Sequence, residues 1–270
     1  RLKNIGEIGP ETNWQEALSN IDAVLHLAGR AHVMAESDAD PLAAYRRINR
    51  DGTKRLAEAA ADAGVKRLVF LSSIKVNGER TTNHPYSEAS TPQPEDAYGQ
   101  SKWEGEQALH EINGLETVVV RTPLVYGPHV KGNFRSLLNI CRKTVPLPLG
   151  GLQNRRSLIY VGNLADALIR CLTHPKAAGN LYLVRDGDDV STTTLIKSTA
   201  QALGKQTYLF PVPRLLLRAG GALTGKSGMV SRLIESLEVD DSAIRRDLDW
   251  TPPFTMVQGL TETATWFRSV

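Results

Sequence analysis

Lys66-Arg67-Leu68-Val69-Phe70-Leu71-Ser72-Ser73 opens on two cations, runs through apolar residues and ends on two hydroxyls. A short, nearly continuous apolar run of this kind reads as a strand buried on both faces, the habit of a parallel sheet. Upstream, Asp22-Ala23-Val24-Leu25-His26-Leu27-Ala28 has the same texture, and downstream so does Glu116-Thr117-Val118-Val119-Val120-Arg121. The intervening segments are helical. Pro41, after Asp40, opens one helix through Ala63 with Gly64 as its stop, and a second runs from about Asp96 to Ile112. Strands joined by long helical crossovers predict an α/β fold with a doubly wound, Rossmann-like parallel sheet.

Beyond Gly127 the texture changes. Pro146-Leu147-Pro148-Leu149-Gly150-Gly151 marks a loop, then Arg156 to Val161 reads as a strand and Leu164 to Thr173 as a helix. A strand at Leu181 to Val184, a helix at Ser191 to Leu203 and an amphipathic helix from about Met256 to Arg268 follow. The expected division is a dinucleotide-binding domain over 1–127 and a smaller α/β substrate lobe over 128–270, with some segments of the latter returning to the main domain.

Tyr98-Gly99-Gln100-Ser101-Lys102 supplies the chemistry. A tyrosine and a lysine four apart share one helix face, so phenol and ammonium can act on one atom. A nearby cation favours phenolate, lowering a phenol pKa from about 10. Ser73, at a strand end, can hydrogen-bond the same oxygen. The three suit proton transfer at a carbon bearing an alcohol or ketone, the counterpart of hydride transfer to a nicotinamide.

Bulk properties narrow the class. The net charge is +3 over 270 residues, with the cations scattered, which argues against nucleic acid as partner. Cys141 and Cys171 have no metal-site spacing and suggest a reduced compartment. No apolar run approaches the ~20 residues of a membrane span, and Leu215 to Leu223 reads as a short amphipathic helix. A cytoplasmic location is expected.

Several segments, in order, resemble one family. They are Gly6-Glu7-Ile8, His26-Leu27-Ala28-Gly29, Asn49-Arg50-Asp51-Gly52-Thr53, Leu71-Ser72-Ser73 with Val76-Asn77-Gly78, and Tyr98 with Lys102. Arg121-Thr122-Pro123-Leu124-Val125-Tyr126-Gly127-Pro128 and Arg156-Ser157-Leu158-Ile159-Tyr160-Val161 complete the set. Together they are similar to the extended short-chain dehydrogenase/reductases, the NAD-dependent sugar-nucleotide epimerase/dehydratase group. The resemblance implies Ser73, Tyr98 and Lys102 as catalytic residues. It implies NAD, with NADP left open, held by Glu7, Ile8, Leu27, Ala28, Gly29, Ser72, Tyr98, Lys102 and Pro123. A nucleotide-sugar, UDP-linked by the same resemblance, is expected at Ser73, Lys75, Leu124, Asn133, Phe134 and Arg156. No metal is implied, and a homodimer through the Pro41–Ala63 and Asp96–Ile112 helices is.

Departures from the pattern sharpen the reading. The glycine-rich turn that grips a pyrophosphate in such folds has no counterpart here, and the chain is expected to start two strand–helix units into the fold, as a fragment or truncated product. Sugar-nucleotide dehydratases of this group carry an Asp-Glu pair after the catalytic Ser/Thr, where this chain has Ile74 and Lys75, which argues against elimination. Leu124 stands where an asparagine often precedes Val-Tyr-Gly. The leading expectation is a 4-epimerase of nucleotide-linked sugars. The alternatives are a 4-keto-sugar reductase of polysaccharide synthesis and, from another class, a non-catalytic dinucleotide-binding regulator.

Overall fold

The computed structural model describes residues 2–31 and 40–270. Its strands are β1 (Ala23–His26), β2 (Arg67–Ser73), β3 (Glu116–Thr122), β4 (Leu124–Tyr126), β5 (Leu147–Gly150), β6 (Leu158–Tyr160), β7 (Leu181–Leu183) and β8 (Leu209–Pro211). Its helices begin with α1 (Pro41–Arg46), α2 (Thr53–Asp62), α3 (Ala97–His110), α4 (Gly132–Lys143) and α5 (Val161–Thr173). They continue with α6 (Thr192–Ala202), α7 (Arg214–Leu223), α8 (Ser227–Ile234), α9 (Ser242–Leu248) and α10 (Met256–Arg268).

The main sheet has the order β1-β2-β3-β7, every neighbouring pair parallel. Helical crossovers make the Rossmann-like fold that the alternating texture predicts. The register sets Ser72 beside Arg121 and Ser73 beside Thr122. Because the strands are parallel, their carboxyl ends share one edge, and the segments after His26, Ser73 and Thr122 emerge there together.

Both sheet faces are covered, which is why its strands are continuously apolar. Leu68 and Phe70 pack with Leu56, Ala57 and Ala60 of α2 and Leu109 of α3. Val69, Val118 and Val120 face the other way, onto Leu164 and Leu168 of α5 and Ile244 of α9. Adjacent strand residues thus feed opposite cores. A further cluster joins Phe134, Leu138 and Cys141 of α4 to Ile196 of α6 and Leu260 and Phe267 of α10. From the second half of the chain, β7 enters the main sheet and α5 covers it, while β4 pairs β6 and β5 pairs β8 in two small sheets.

Three expectations need correction. The segment Pro146–Gly151, read as a loop, carries β5 (Leu147–Gly150), because its backbone pairs in parallel with β8. The helix read as continuous from Pro41 to Ala63 widens into a π-helical turn over Arg47–Gly52. The turn packs against the start of the chain, where a Cβ on Gly52 would lie 2.8 Å from Ile8 Cγ2, and Asn49 within it is buried, 1% exposed. Such turns favour functional positions. The strand read from Arg156 is shorter, Leu158–Tyr160, because Arg156 instead bridges the backbones of Val190 and Leu237.

Candidate functional site

Ser73 ends β2 in extended geometry (φ −141°, ψ 147°), and its Oγ accepts from Lys75 N at 3.3 Å as the chain turns into Ile74–Val76. Tyr98 stands in the first turn of α3, which Asp96 caps by accepting from Gly99 N at 2.7 Å. Two glycines seat this helix. A Cβ on Gly99 would be 2.6 Å from the carbonyl oxygen of Lys75, and one on Gly105 would be 2.5 Å from that of Asn49. Backbone-to-backbone approach of this kind admits only glycine. It brings Tyr98 against the end of β2, where Ser73 acts on its hydroxyl in favour of the phenolate.

Lys102 lies one turn further and is 3% exposed, its Nζ 3.9 Å from the Phe70 ring centroid. The electrostatics differ from the expectation of a cation-lowered phenol. Burial pushes Tyr98 up to about 12; Ser73 opposes this, while Asp96 and Tyr45 add to it. Burial pushes Lys102 down to about 7 against the pull of Glu106. Desolvation disfavours each charged form and is the largest cause of both shifts.

Beneath these residues lies a network that the sequence reading did not find. Glu106, 3% exposed, receives two hydrogen bonds from Arg121, at 2.6 and 3.0 Å, and another from Ser72 Oγ. Arg121 also donates to Asn77 Oδ1 at 3.1 Å. Ser72, expected at the cofactor, therefore spends its hydroxyl inside the core. The usable signal was Glu106 at four residues beyond Lys102, on the same helix face.

Asn49 ties the carboxyl edge together. It exchanges hydrogen bonds with the Arg30 backbone, at 2.8 and 3.0 Å, and donates to Ser101 Oγ at 2.9 Å. His26 is structural: buried, bonded to Thr53 Oγ1 at 3.0 Å, and lowered to about 3 by burial and by Lys102.

The residues expected at NAD fit it unequally. Leu27, Ala28 and Gly29 are exposed where β1 ends, and a Cβ on Gly29 would stand 3.0 Å from Asn49 Oδ1 and 3.8 Å from Lys102 Nζ. Gly29 thus leaves a space floored by an ammonium that has no hydrogen-bond acceptor among the described residues. That combination suits a hydroxyl-bearing ribose. Pro123 is buried beside the same edge. Glu7 is exposed and paired with Arg47 Nη1 at 3.2 Å, while Ile8 packs on the α2 side of the sheet.

Of the residues expected at the substrate, Arg156 and Lys75 are the charged ones. Burial lowers the Arg156 pKa, with Glu79 opposing and Arg232 adding to the shift. Among the described residues its Nη1 reaches only a backbone carbonyl, that of Glu235 at 3.5 Å. Lys75 is held by Asp96 and by Glu79, the latter at 2.5 Å, and Glu79 also approaches Arg232 Nε at 3.5 Å. Three cations thus gather around Glu79, and Lys75 is shared between Glu79 and Asp96. Asn133 is exposed on α4 and Leu124 half-buried in β4. Phe134 departs from the expectation: it is 1% exposed and stacked on Tyr126 at 5.2 Å, because it heads the core-facing stripe of α4.

Both cysteines are free, buried and pushed up by burial, to about 11 for Cys141 and about 12 for Cys171. Among the described residues no helix is long and apolar enough to cross a membrane, and no cluster of metal-ligating side chains is present.

Comparison with known proteins agrees with this geometry. The profile of the NAD dependent epimerase/dehydratase family matches residues 4–184. A UDP-glucose 4-epimerase of Vibrio cholerae is 45% identical over 98% of this chain and 83% of its own length. An N-acetyl-alpha-D-glucosaminyl-diphospho-ditrans,octacis-undecaprenol 4-epimerase of Escherichia coli O157:H7 is 26% identical over 97% of this chain and 82% of its own. The solved UDP-glucose 4-epimerase of Thermotoga maritima, 22% identical, superposes with a TM-score of 0.71 over 92% of this chain and 77% of that one, and shows the shared fold.

Proposed function

The chain belongs to the NAD dependent epimerase/dehydratase family, and on that premise we propose that it inverts the C4 hydroxyl of a UDP-linked hexose. The observation that carries this reading is the placing of Tyr98 in the first turn of α3 against Ser73 at the carboxyl edge of the sheet, with Lys102 one turn away. The 45% identity to an enzyme of that name supports it.

When bound, NAD supplies a reversible hydride acceptor and donor at C4. Tyr98 takes the C4 hydroxyl proton as C4 is oxidised and returns it to the same oxygen when the ketone is reduced on its other face. Ser73 holds that oxygen in line with the phenol. Lys102 offers its ammonium to a ribose hydroxyl of the cofactor over Gly29, and its charge there favours the phenolate. Arg156 and Lys75 grip the diphosphate, with Arg232 beside them. Neutral Ile74, next to Ser73, supplies no base to abstract a proton from C5, so the ketone is reduced rather than dehydrated.

The test is turnover of UDP-glucose to UDP-galactose by the full chain supplied with NAD, with Tyr98→Phe as control. Net use of one NADH per ketone would instead identify a reductase, and no turnover with either would identify a regulator. The assay includes a diphospho-undecaprenol-linked sugar, the substrate class in the name of the E. coli relative. A homodimer over α1, α2 and α3 belongs to the same proposal and is read by sedimentation.

A further inference from the structure

Helix α7 is amphipathic the wrong way round. At ~100° per residue, Leu215, Leu216, Ala219, Ala222 and Leu223 share an arc of about 120°, and all are exposed, Leu215 at 76% and Leu223 at 89%. The opposite side carries Gly221, which is buried against α8 so closely that a Cβ would meet Val230 Cγ2 at 2.8 Å. The helix therefore turns its leucines away from the protein. Met229 of the packed α8 and Phe210, which precedes α7 in the chain, are also exposed, at 57% and 47%.

The charge of this segment is as one-sided as its hydropathy. Between Val190 and Ile234 there is no Asp or Glu, against Lys197, Lys205, Arg214, Arg218, Lys226 and Arg232. Glu235 pairs Arg218 and Glu79 pairs Arg232, which leaves Arg214 and Lys226 as the charges flanking α7. A second copy of the same hairpin would set these cations against one another. An anionic bilayer satisfies both features, taking leucines into the headgroup boundary while lysines and arginines meet lipid phosphates.

We propose that the α7–α8 hairpin seats this protein on the surface of an anionic phospholipid bilayer. Leu215, Leu216 and Leu223 insert, and Arg214 and Lys226 lie at the phosphate level. The docked face adjoins the cationic cluster, because α8 carries Arg232 and Arg218 of α7 pairs with Glu235, whose carbonyl accepts from Arg156.

The experiment is co-sedimentation of the full chain with vesicles of mixed phosphatidylglycerol and phosphatidylcholine, and with phosphatidylcholine alone. Binding to the anionic vesicles is expected, with about tenfold weaker partitioning for Leu215→Glu/Leu223→Glu. Val257→Glu, at a 68% exposed position of α10, leaves binding unchanged. Circular dichroism confirms that both variants are folded, as exposed positions allow. Absence of wild-type binding, or equal binding by the double variant, overturns the proposal. So does a wild-type dimer that the double variant splits without any vesicle binding, which would make the face a contact between copies.

Discussion

Glu106 and Arg121 meet in a two-point ion pair, 2.6 and 3.0 Å long with each side chain 4% exposed, directly under the strand that ends in Ser73. Ser72 and Asn77 complete it. Glu106 is also the charge that opposes the loss of the Lys102 proton. The packing of α3 on β2 and β3 and the electrostatics of the site therefore share one carboxylate.

Glu106→Gln keeps the shape and removes the charge, leaving Arg121 buried and unpaired. Breaking one partner of a buried pair costs about 3–5 kcal/mol. Urea denaturation should show a midpoint loss of that order, partly recovered when Arg121→Met is added. An unchanged midpoint would mean that the pair contributes nothing.

Tyr98→Phe removes the proton carrier and keeps the ring against Tyr45, 6.0 Å away centroid to centroid. Turnover should fall by about 10²–10⁴-fold with the unfolding midpoint nearly unchanged. Steady-state rates beside a thermal melt separate this from a folding defect.

Gly105→Ala forces a methyl to within 2.5 Å of the Asn49 carbonyl oxygen. Overpacking of this kind costs about 1–3 kcal/mol, although alanine is the better helix former. The exposed Gly220→Ala on α7, with open space around its Cβ, should instead stabilise or be neutral. Comparing the two melts isolates backbone approach from helix propensity.

Lys102 makes stability depend on pH in the cofactor-free chain. Its folded pKa is about 7 against an ordinary 10.5, so between those values the unfolded chain binds the extra proton. Stability therefore rises with pH from about 7 to 10, by on the order of 4 kcal/mol at most. Lys102→Met should flatten that rise and stabilise the protein near neutrality. Denaturation midpoints at intervals across the range test the sign; a fall with pH in the wild type would contradict it.

The sheet was legible because burial on both faces demands apolar runs, and β2 and β3 carry them nearly where the sequence reading put them. Tyr98, Ser73 and Lys102 were singled out by the family resemblance, and helix periodicity adds that Tyr98 and Lys102 share one face of α3. Phe134 was misread because a motif names a residue without saying which side of α4 faces the core. The Arg47–Gly52 widening was invisible because apolar periodicity does not distinguish a π-helical turn from an α-helix, and the Gly52 approach to Ile8 joins residues distant along the chain.

By itself, the sequence determined β1, β2 and β3, their parallel arrangement and the helices between them, since these follow from local periodicity; β4, β5, β8 and α4 were not read from it. Only the tertiary structure decided the protonation of the reacting groups. Tyr98 at about 12 and Lys102 at about 7 reflect how much water each has lost. Desolvation is set by everything packed around a side chain, and no local spacing encodes it.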